Sequence, residues 1–365
     1  MFDYRHYVPI LKGKDGELRA LACLTSNARR NITPFLDIPR RDLDINTKRP
    51  KGPIDAYLKN KAKKIEKFWG TDRKIFVDVY DLSLDLRTPN GTHFVEYLFS
   101  QLRGYNVQAI PVIGLDRSGD TDYLNAVRNT ISTDMRGVCI RLLYADMEVP
   151  KATYSDVRTL IRTLLLPKSE VHLLMDFRSI SENDLDDAAN IATAFLTNLP
   201  NTMDWKTITL SSSGFPENLG VVSPRSIETL PRTELGLRNQ LVSRRRSIPR
   251  FPTFGDYGIC HPDILDFDPR VHTPSAAIRY TIEREWLIVK AGSIKRYKMD
   301  QFRELSDTLR RRPEYYGLTY SWGDKYINEC ADYSVGKGNL TTWRQVGTNH
   351  HLTLVGNQIA NSPSI

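Results

Sequence analysis

The chain predicts an α/β fold, a closed (β/α)8 barrel of TIM-barrel-like design with a C-terminal α+β extension, and three observations carry that expectation. Four short apolar runs each end in an aspartate, at Asp37, Asp78, Asp116 and Asp176. A buried parallel strand reads as a near-continuous apolar stretch, and a carboxylate at its downstream end is costly unless it is paired or lines a polar cavity. Runs of this kind total eight, and segments of helical periodicity separate nearly all of them. Eight strand–helix units in roughly 250 residues match a closed barrel, whose sites lie at the carboxyl ends of the strands. An open doubly wound sheet is the alternative topology.

The first run covers residues 7–11, and a helical stretch over 16–30, with Leu18, Leu21 and Leu24 at helical spacing, separates it from 32–38. The remaining runs are 74–81, 108–116, 137–144, 171–177, 207–211 and a weaker one at 251–257. Helical patterns fall at 54–68, 93–102, 122–132, 155–165, 182–199 and 233–245. The turn after the first strand, residues 12–16, lacks GxGxxG spacing and is no Walker A loop, which argues against a dinucleotide fold. Past the barrel, residues 278–291 alternate as one or two strands and 297–310 read as helix. The tail is aromatic and glycine-rich. The expected division is a barrel over 1–265 and an extension over 266–365 packing on it.

The 365 residues are 40% hydrophobic and 26% charged, ordinary for a globular protein. No run approaches the ~20 apolar residues of a membrane span, and the first residues do not resemble a signal peptide, so the expectation is a cytoplasmic protein without a membrane partner. Cys23, Cys139, Cys260 and Cys330 lack CxxC spacing and read as reduced structural thiols. A net charge of +8 permits a polyanionic partner such as nucleic acid or a nucleotide. Two clusters supply much of it, Arg244 to Arg246 with Arg250, and Arg310 to Arg312. The second also reads as a helix C-terminus, where the dipole favours cations.

The strand-end residues form the candidate site. Asp37, Asp78, Asp116 and Asp176 are the candidate catalytic acids, either as ligands of a divalent metal ion of unknown identity or as acid/base groups. The opposing reading makes them helix caps, or partners of Arg117, Arg141 and Arg178 in a buried network. Arg141 lies inside an apolar run, so an acid or an anionic ligand must meet it. Lys12, Arg117, Arg141, Arg178, Ser211 and Asp256 are the candidate substrate-binding groups near the strand ends. In the tail, Trp322, Trp343, Arg344, His350 and His351 read either as structural packing or as a lid or stacking surface for a base or a partner. HExxH and GxSxG are absent, and His172, which opens its run, reads as structural.

The opening 7–21, the segment 32–39 and the Trp-Gly-Asp, Trp-Arg and Gly-Thr-Asn-His-His elements of the tail resemble the phage and bacterial beta protein family. The matching positions are Lys12, Gly13, Asp37, Pro39, Trp322, Gly323, Asp324, Trp343, Arg344, His350 and His351. The resemblance implies a place in phage–host conflict and leaves the biochemistry open. Two functions follow as expectations. One is a phosphodiesterase or nuclease with the aspartates as catalytic groups and Arg141 and Arg178 on the phosphate. The other is a non-catalytic barrel that recognises a phage or host protein, or a nucleotide, and regulates a partner.

Overall fold

The structure is a computed structural model that describes residues 3–44, 46–263 and 274–363. Strands β1 (Tyr7–Leu11), β2 (Phe35–Asp37), β3 (Lys74–Asp78), β4 (Gln108–Gly114), β5 (Val138–Leu143), β6 (Val171–Ser179) and β7 (Thr207–Ser213) pair in parallel in that order; β8 (Ile227–Pro231) leaves the sheet, and β9 (Thr253–Asp256) closes it between β7 and β1. The eight barrel strands fall on the eight predicted runs. Each is nearly all buried because helices cover the outer face while the inner face fills the barrel.

Helices Asp15–Ala22 and Ser26–Arg30 replace the single predicted helix of that region; Thr25 caps the second through its hydroxyl. Helices Ile54–Trp69, Phe94–Gly104, Thr121–Asp134, Pro150–Thr163, Leu185–Asn198 and Thr233–Ser243 complete the alternation. The last strands, β10 (Ser275–Thr281) and β11 (Glu285–Ser293), form an antiparallel sheet in the order β10-β11-β8. The extension therefore draws one strand from before residue 265, a placement that no single run in the sequence announced.

The tail holds the largest departure from expectation. Its glycine-rich, aromatic sequence forms helix Trp322–Ala331 and a 21-residue helix, Leu340–Ala360, buried against the first barrel helix on one side and β10 on another. A helix buried all round shows no apolar stripe, which removed the usual periodic signal. Among the described residues, no helix is long and apolar enough to cross a membrane.

Candidate functional site

The site is built from one inward-facing position per strand. Side chains alternate along a strand, so the residue two past each apolar filler enters the next layer toward the carboxyl ends. Ile10, Phe35, Phe76, Val112, Cys139 and Leu174 belong to the interior cluster of the barrel. Above them, at the two-residue step, stand Lys12, Asp37, Asp78, Gly114, Arg141, Asp176, Ser211 and Tyr257. Gly114 leaves a vacancy, because a Cβ there would lie 2.1 Å from the Asp116 Oδ1 atom and 3.2 Å from an Arg117 nitrogen. The Arg117 guanidinium occupies the β4 sector instead. Gly255 is equally constrained, since a Cβ would come within 2.8 Å of the Val8 carbonyl oxygen and 2.9 Å of Ser211.

Arg141 organises the layer. Its Nε and Nη2 donate to Asp176 Oδ2 at 2.9 and 2.6 Å, Nη1 donates to Asp37 Oδ1 at 2.9 Å and Asp78 Oδ2 at 2.8 Å, and Nη2 reaches the Tyr257 hydroxyl at 2.8 Å. All five guanidinium hydrogens are used. Lys12 Nζ donates to Asp37 Oδ2 at 2.6 Å, Arg117 Nη1 to Asp78 Oδ1 at 2.7 Å, and Tyr257 to Asp176 Oδ2 at 2.6 Å. Ser211 Oγ and the Arg178 amide donate to Asp176 Oδ1 at 3.1 and 2.9 Å. Three carboxylates and three cations are thus matched out of water, the arrangement that offsets the cost of burying each. Burial works to raise the pKa of Asp37, but Arg141 and Lys12 outweigh it and hold the group at about 2.

This layer matches the buried network foreseen as the alternative for the aspartates. Each oxygen of Asp37, Asp78 and Asp176 accepts from at least one donor of this layer. Among the described residues, no group of three or more His, Cys, Asp and Glu side chains is placed to hold a metal ion. Asp116 stays out of the layer, 37% exposed and 3.4 Å from the Arg117 Nε. Asp256 faces outward: it accepts from Tyr7 and sits 3.0 Å from His351 Nε2, so the inward group of that strand is Tyr257.

The network is topped by groups that sequence reasoning missed. Tyr80 lies under three guanidinium groups, those of Arg141, Arg117 and Arg178, at 4.7, 5.4 and 4.9 Å from its ring centre. Asp81 Oδ2 is buried without a hydrogen bond among the described residues, 3.7 Å from Lys12 Nζ, and burial raises the pKa of the carboxyl. Arg178 sits in the left-handed region at φ +54°, donates to Asp263, and keeps a buried Nη1 without a hydrogen bond among the described residues. Such strain at a strand end is a mark of functional positions.

From Lys12 the mouth opens into a cleft of about 440 Å³ between the first βα turn, the segment after β7, and the extension. Its polar floor holds Glu17, Cys260, Arg279 and Arg344. Glu17 Oε1 accepts from the Cys260 thiol at 3.3 Å and lies 3.9 Å from Arg344 Nη1. Arg279 donates to the Ile259 carbonyl oxygen at 3.0 Å and lies 5.1 Å over the Phe215 ring, without an ion pair among the described residues. Burial, with Arg344 nearby, lowers its pKa to about 10. Burial also keeps Cys260 a thiol at neutral pH, against the pull of Arg344. Phe215, Phe302 and Trp343 supply aromatic walls, Trp343 stacked on Phe302 at 4.4 Å.

Of the predicted tail residues, Trp343 and Arg344 reach this cleft. His350 and His351 do not: His350 lies 2.8 Å from Asp324 and 2.7 Å from the Thr281 carbonyl oxygen, while His351 joins Asp256 and the Thr281 hydroxyl at 2.8 Å. Trp322 packs on Tyr326 at 5.4 Å. These motif residues dock the last helix onto the barrel and the small sheet. His172, at the amino end of the barrel, pairs with Thr207 at 2.7 Å in the structural role expected of it. The arginine clusters lie elsewhere: Arg250 donates to the carbonyl oxygens of Thr202, Trp205 and Lys206 ahead of β9, and Arg310, Arg311 and Arg312 pair with Asp307, Asp332 and Glu314.

Comparison with known proteins adds the following. A family model described as Beta protein matches residues 7–357. No curated protein matches the chain. Among solved structures, triosephosphate isomerase from Bartonella henselae is similar over 70% of this chain and 94% of its own, with 10% identity and a TM-score of 0.37. The N-terminal domain of a putative aldolase from Bacteroides vulgatus covers 98% of this chain and 97% of its own, with 12% identity and a TM-score of 0.35. At these scores neither likeness bears on activity, and the barrel assignment rests on the strand pairing itself.

Proposed function

This chain belongs to the Beta protein family, and from that premise we propose that it is a recognition barrel that binds a nucleotide-sized, phosphate-bearing ligand in the cleft beside the barrel mouth. The observation that carries the reading is the pair of guanidinium groups on the cleft floor: Arg279 has no ion pair among the described residues and Arg344 has Glu17 at 3.9 Å, in a cleft whose lining also holds Lys12, Lys14, Asp15, Glu217 and Asp263. A half-compensated pair of this kind favours an anion, and arginine forks suit phosphate oxygens. The volume falls in the range of ordinary ligand pockets, about 300–1,000 Å³. In the phage–host setting that the family resemblance suggests, ligand capture would regulate a phage or host partner protein.

Titration calorimetry with nucleoside mono-, di- and triphosphates, and with pyrophosphate, tests this. Saturable binding that Arg279→Met and Arg344→Met each weaken at least tenfold supports the reading; equal binding by wild type and both variants overturns it.

A second reading, hydrolysis of a phosphodiester or nucleic acid, is favoured by Asp81, a half-buried carboxyl with a raised pKa, 3.7 Å from Lys12 Nζ and with Oδ2 accepting no hydrogen bond among the described residues. Such a group suits proton transfer. Incubation with DNA, RNA and nucleotides, with magnesium, manganese or chelator, decides it: turnover lost in Asp81→Asn supports hydrolysis, and no turnover under any condition removes it.

A further inference from the structure

Where the last helix meets the barrel, a set of titratable side chains is shut away from water. Tyr7 of β1, Asp256 of β9, Arg232 and Glu234 around the start of helix Thr233–Ser243, and His350 and His351 of helix Leu340–Ala360 are each at most 3% exposed. Asp256 accepts from the Tyr7 hydroxyl and lies 3.0 Å from His351 Nε2, and His351 Nδ1 lies 2.8 Å from the Thr281 hydroxyl of β10. Arg232 Nε donates to Glu234 Oε1 at 3.0 Å, while its Nη1 donates to the Ile282 and Glu283 carbonyl oxygens and to the Gln358 side chain. Arg232 thus ties the barrel, the small sheet and the last helix together at one point.

The charges in this joint do not balance without a bound proton. Both ring nitrogens of His350 face acceptors, the Asp324 carboxylate at 2.8 Å and the Thr281 carbonyl oxygen at 2.7 Å, so that pair shares a proton and is neutral as a whole. Tyr280 stacks on His350 at 3.9 Å and donates to Asp324 at 2.6 Å as a neutral phenol. Two carboxylates, Asp256 and Glu234, then stand against the one guanidinium of Arg232, whose Nη2 makes no hydrogen bond among the described residues. Burial lowers the pKa of His351 and leaves it a neutral ring. Burial also works against the charge of Asp256, but His351, Tyr7 and Arg232 hold that group ionised. Glu283 and Arg284, in the turn between β10 and β11, are exposed and of opposite sign. An uncompensated charge is costly out of water, so the proton missing from the count belongs to Glu234, whose Oε2 accepts from the Gly214 amide at 3.3 Å.

We propose that this cluster is a pH-sensitive joint: the extension docks tightly on the barrel while Glu234 holds a proton, and the last helix loosens as Glu234 ionises. Burial, opposed by Arg232 and aided by Asp256, raises the pKa of Glu234 from 4.5 to about 7. An acid that keeps its proton more firmly in the folded chain than in the unfolded one stabilises the fold at low pH. That contribution is complete below about pH 4.5 and is lost as the pH rises through about 7. Arg344 of the cleft floor lies on the same helix as His351, yet the joint rests on packing alone and holds whether or not the cleft binds an anion.

Urea unfolding of the whole chain, followed by near-ultraviolet circular dichroism at about pH 6 and about pH 8.5, tests this beside Glu234→Gln, whose amide stands in for the protonated acid. The folding constant of wild type, relative to that of the variant, is expected to fall about tenfold between the two pH values. Hydrogen exchange over residues 345–358, corrected for its intrinsic pH dependence, should rise by a similar factor in wild type alone. A ratio of folding constants that stays the same at both pH values overturns the proposal and leaves Glu234 a structural contact. Unchanged exchange in the last helix overturns it as well. Should Glu234→Gln not fold, Asp256→Asn removes the charge that opposes Glu234 and is expected to flatten the pH dependence; a dependence equal to that of wild type then overturns the proposal.

Discussion

At the scale of single residues, Arg141 decides the character of the barrel mouth. It lies 1% exposed among three carboxylates; without it Asp37 and Asp78 would keep Lys12 and Arg117, but Asp176 would lose its ion-pair partner in the buried layer. Breaking a buried ion network by removing one partner costs about 3–5 kcal/mol, so Arg141→Leu should lower the unfolding free energy by about that much in urea titrations. Asp37 sets the acid limit of the same network. Its pKa falls from 3.8 to about 2 on folding, so the unfolded chain binds the proton more readily. The stabilisation is then complete above about pH 4 and is lost as the pH falls through about 2. Acid unfolding followed by near-ultraviolet circular dichroism should show this limb in wild type and a shallower one in Asp37→Asn. Asp256 and Tyr257 show how fine the residue scale is: one step along a strand exchanges the inside of the barrel for the outside.

At the scale of elements, the C-terminal helix is held by polar side chains as well as by the apolar ones it buries, among them Val346, Leu352, Val355 and Ile359. Ser321 caps helix Trp322–Ala331 by accepting from the Asp324 amide, and the Asp324 carboxylate accepts from the Ser321 and Tyr280 hydroxyls, each at 2.6 Å, and meets His350 at 2.8 Å. Asn349 accepts from the Gly323 amide at 3.0 Å and donates to the Ala20 carbonyl oxygen at 3.1 Å, which ties the extension to the first barrel helix. Gly323 allows that approach, since a Cβ there would fall 2.3 Å from the Val346 carbonyl oxygen. Gly323→Ala should therefore loosen the joint between the two C-terminal helices. Hydrogen exchange should rise over residues 322–360 while the amides of β3 to β6 keep their protection; uniform protection would mean that the joint absorbs the methyl group. The family motifs of the tail are thus legible as joints, and their strong chemistry-bearing look came from the need to satisfy polar groups in a fully buried helix.

At the scale of the whole molecule, the cleft draws on segments more than 300 positions apart, Glu17 from the first barrel helix and Arg344 from the last helix. Ligand binding there should couple the extension to the barrel. A phosphate-bearing ligand at one hundred times its Kd adds about 2.7 kcal/mol to unfolding, read as a raised melting temperature. If the Arg279 and Arg344 guanidinium groups make the contact, as proposed, that gain should shrink as salt rises from 0.05 to 0.5 M. A ligand-induced shift independent of salt would place the binding energy on uncharged contacts instead.

The eight strands, most of the helices between them, and the three aspartates that meet in the mouth could all be read from the chain, because apolar runs and period-two alternation are local properties that survive without a partner. Arg141 also declared itself, since a guanidinium inside an apolar run demands an acid. The partners could not be read. Which of two adjacent side chains turns inward at β9, the vacancy that lets Arg117 replace a β4 side chain, the recruitment of β8 into the extension, and the pairing of Arg279 with Arg344 all depend on strand register and on contacts between distant segments. Closure of the barrel and docking of the last helix settle those contacts, because burial leaves each polar group only the neighbours that packing brings within hydrogen-bond reach.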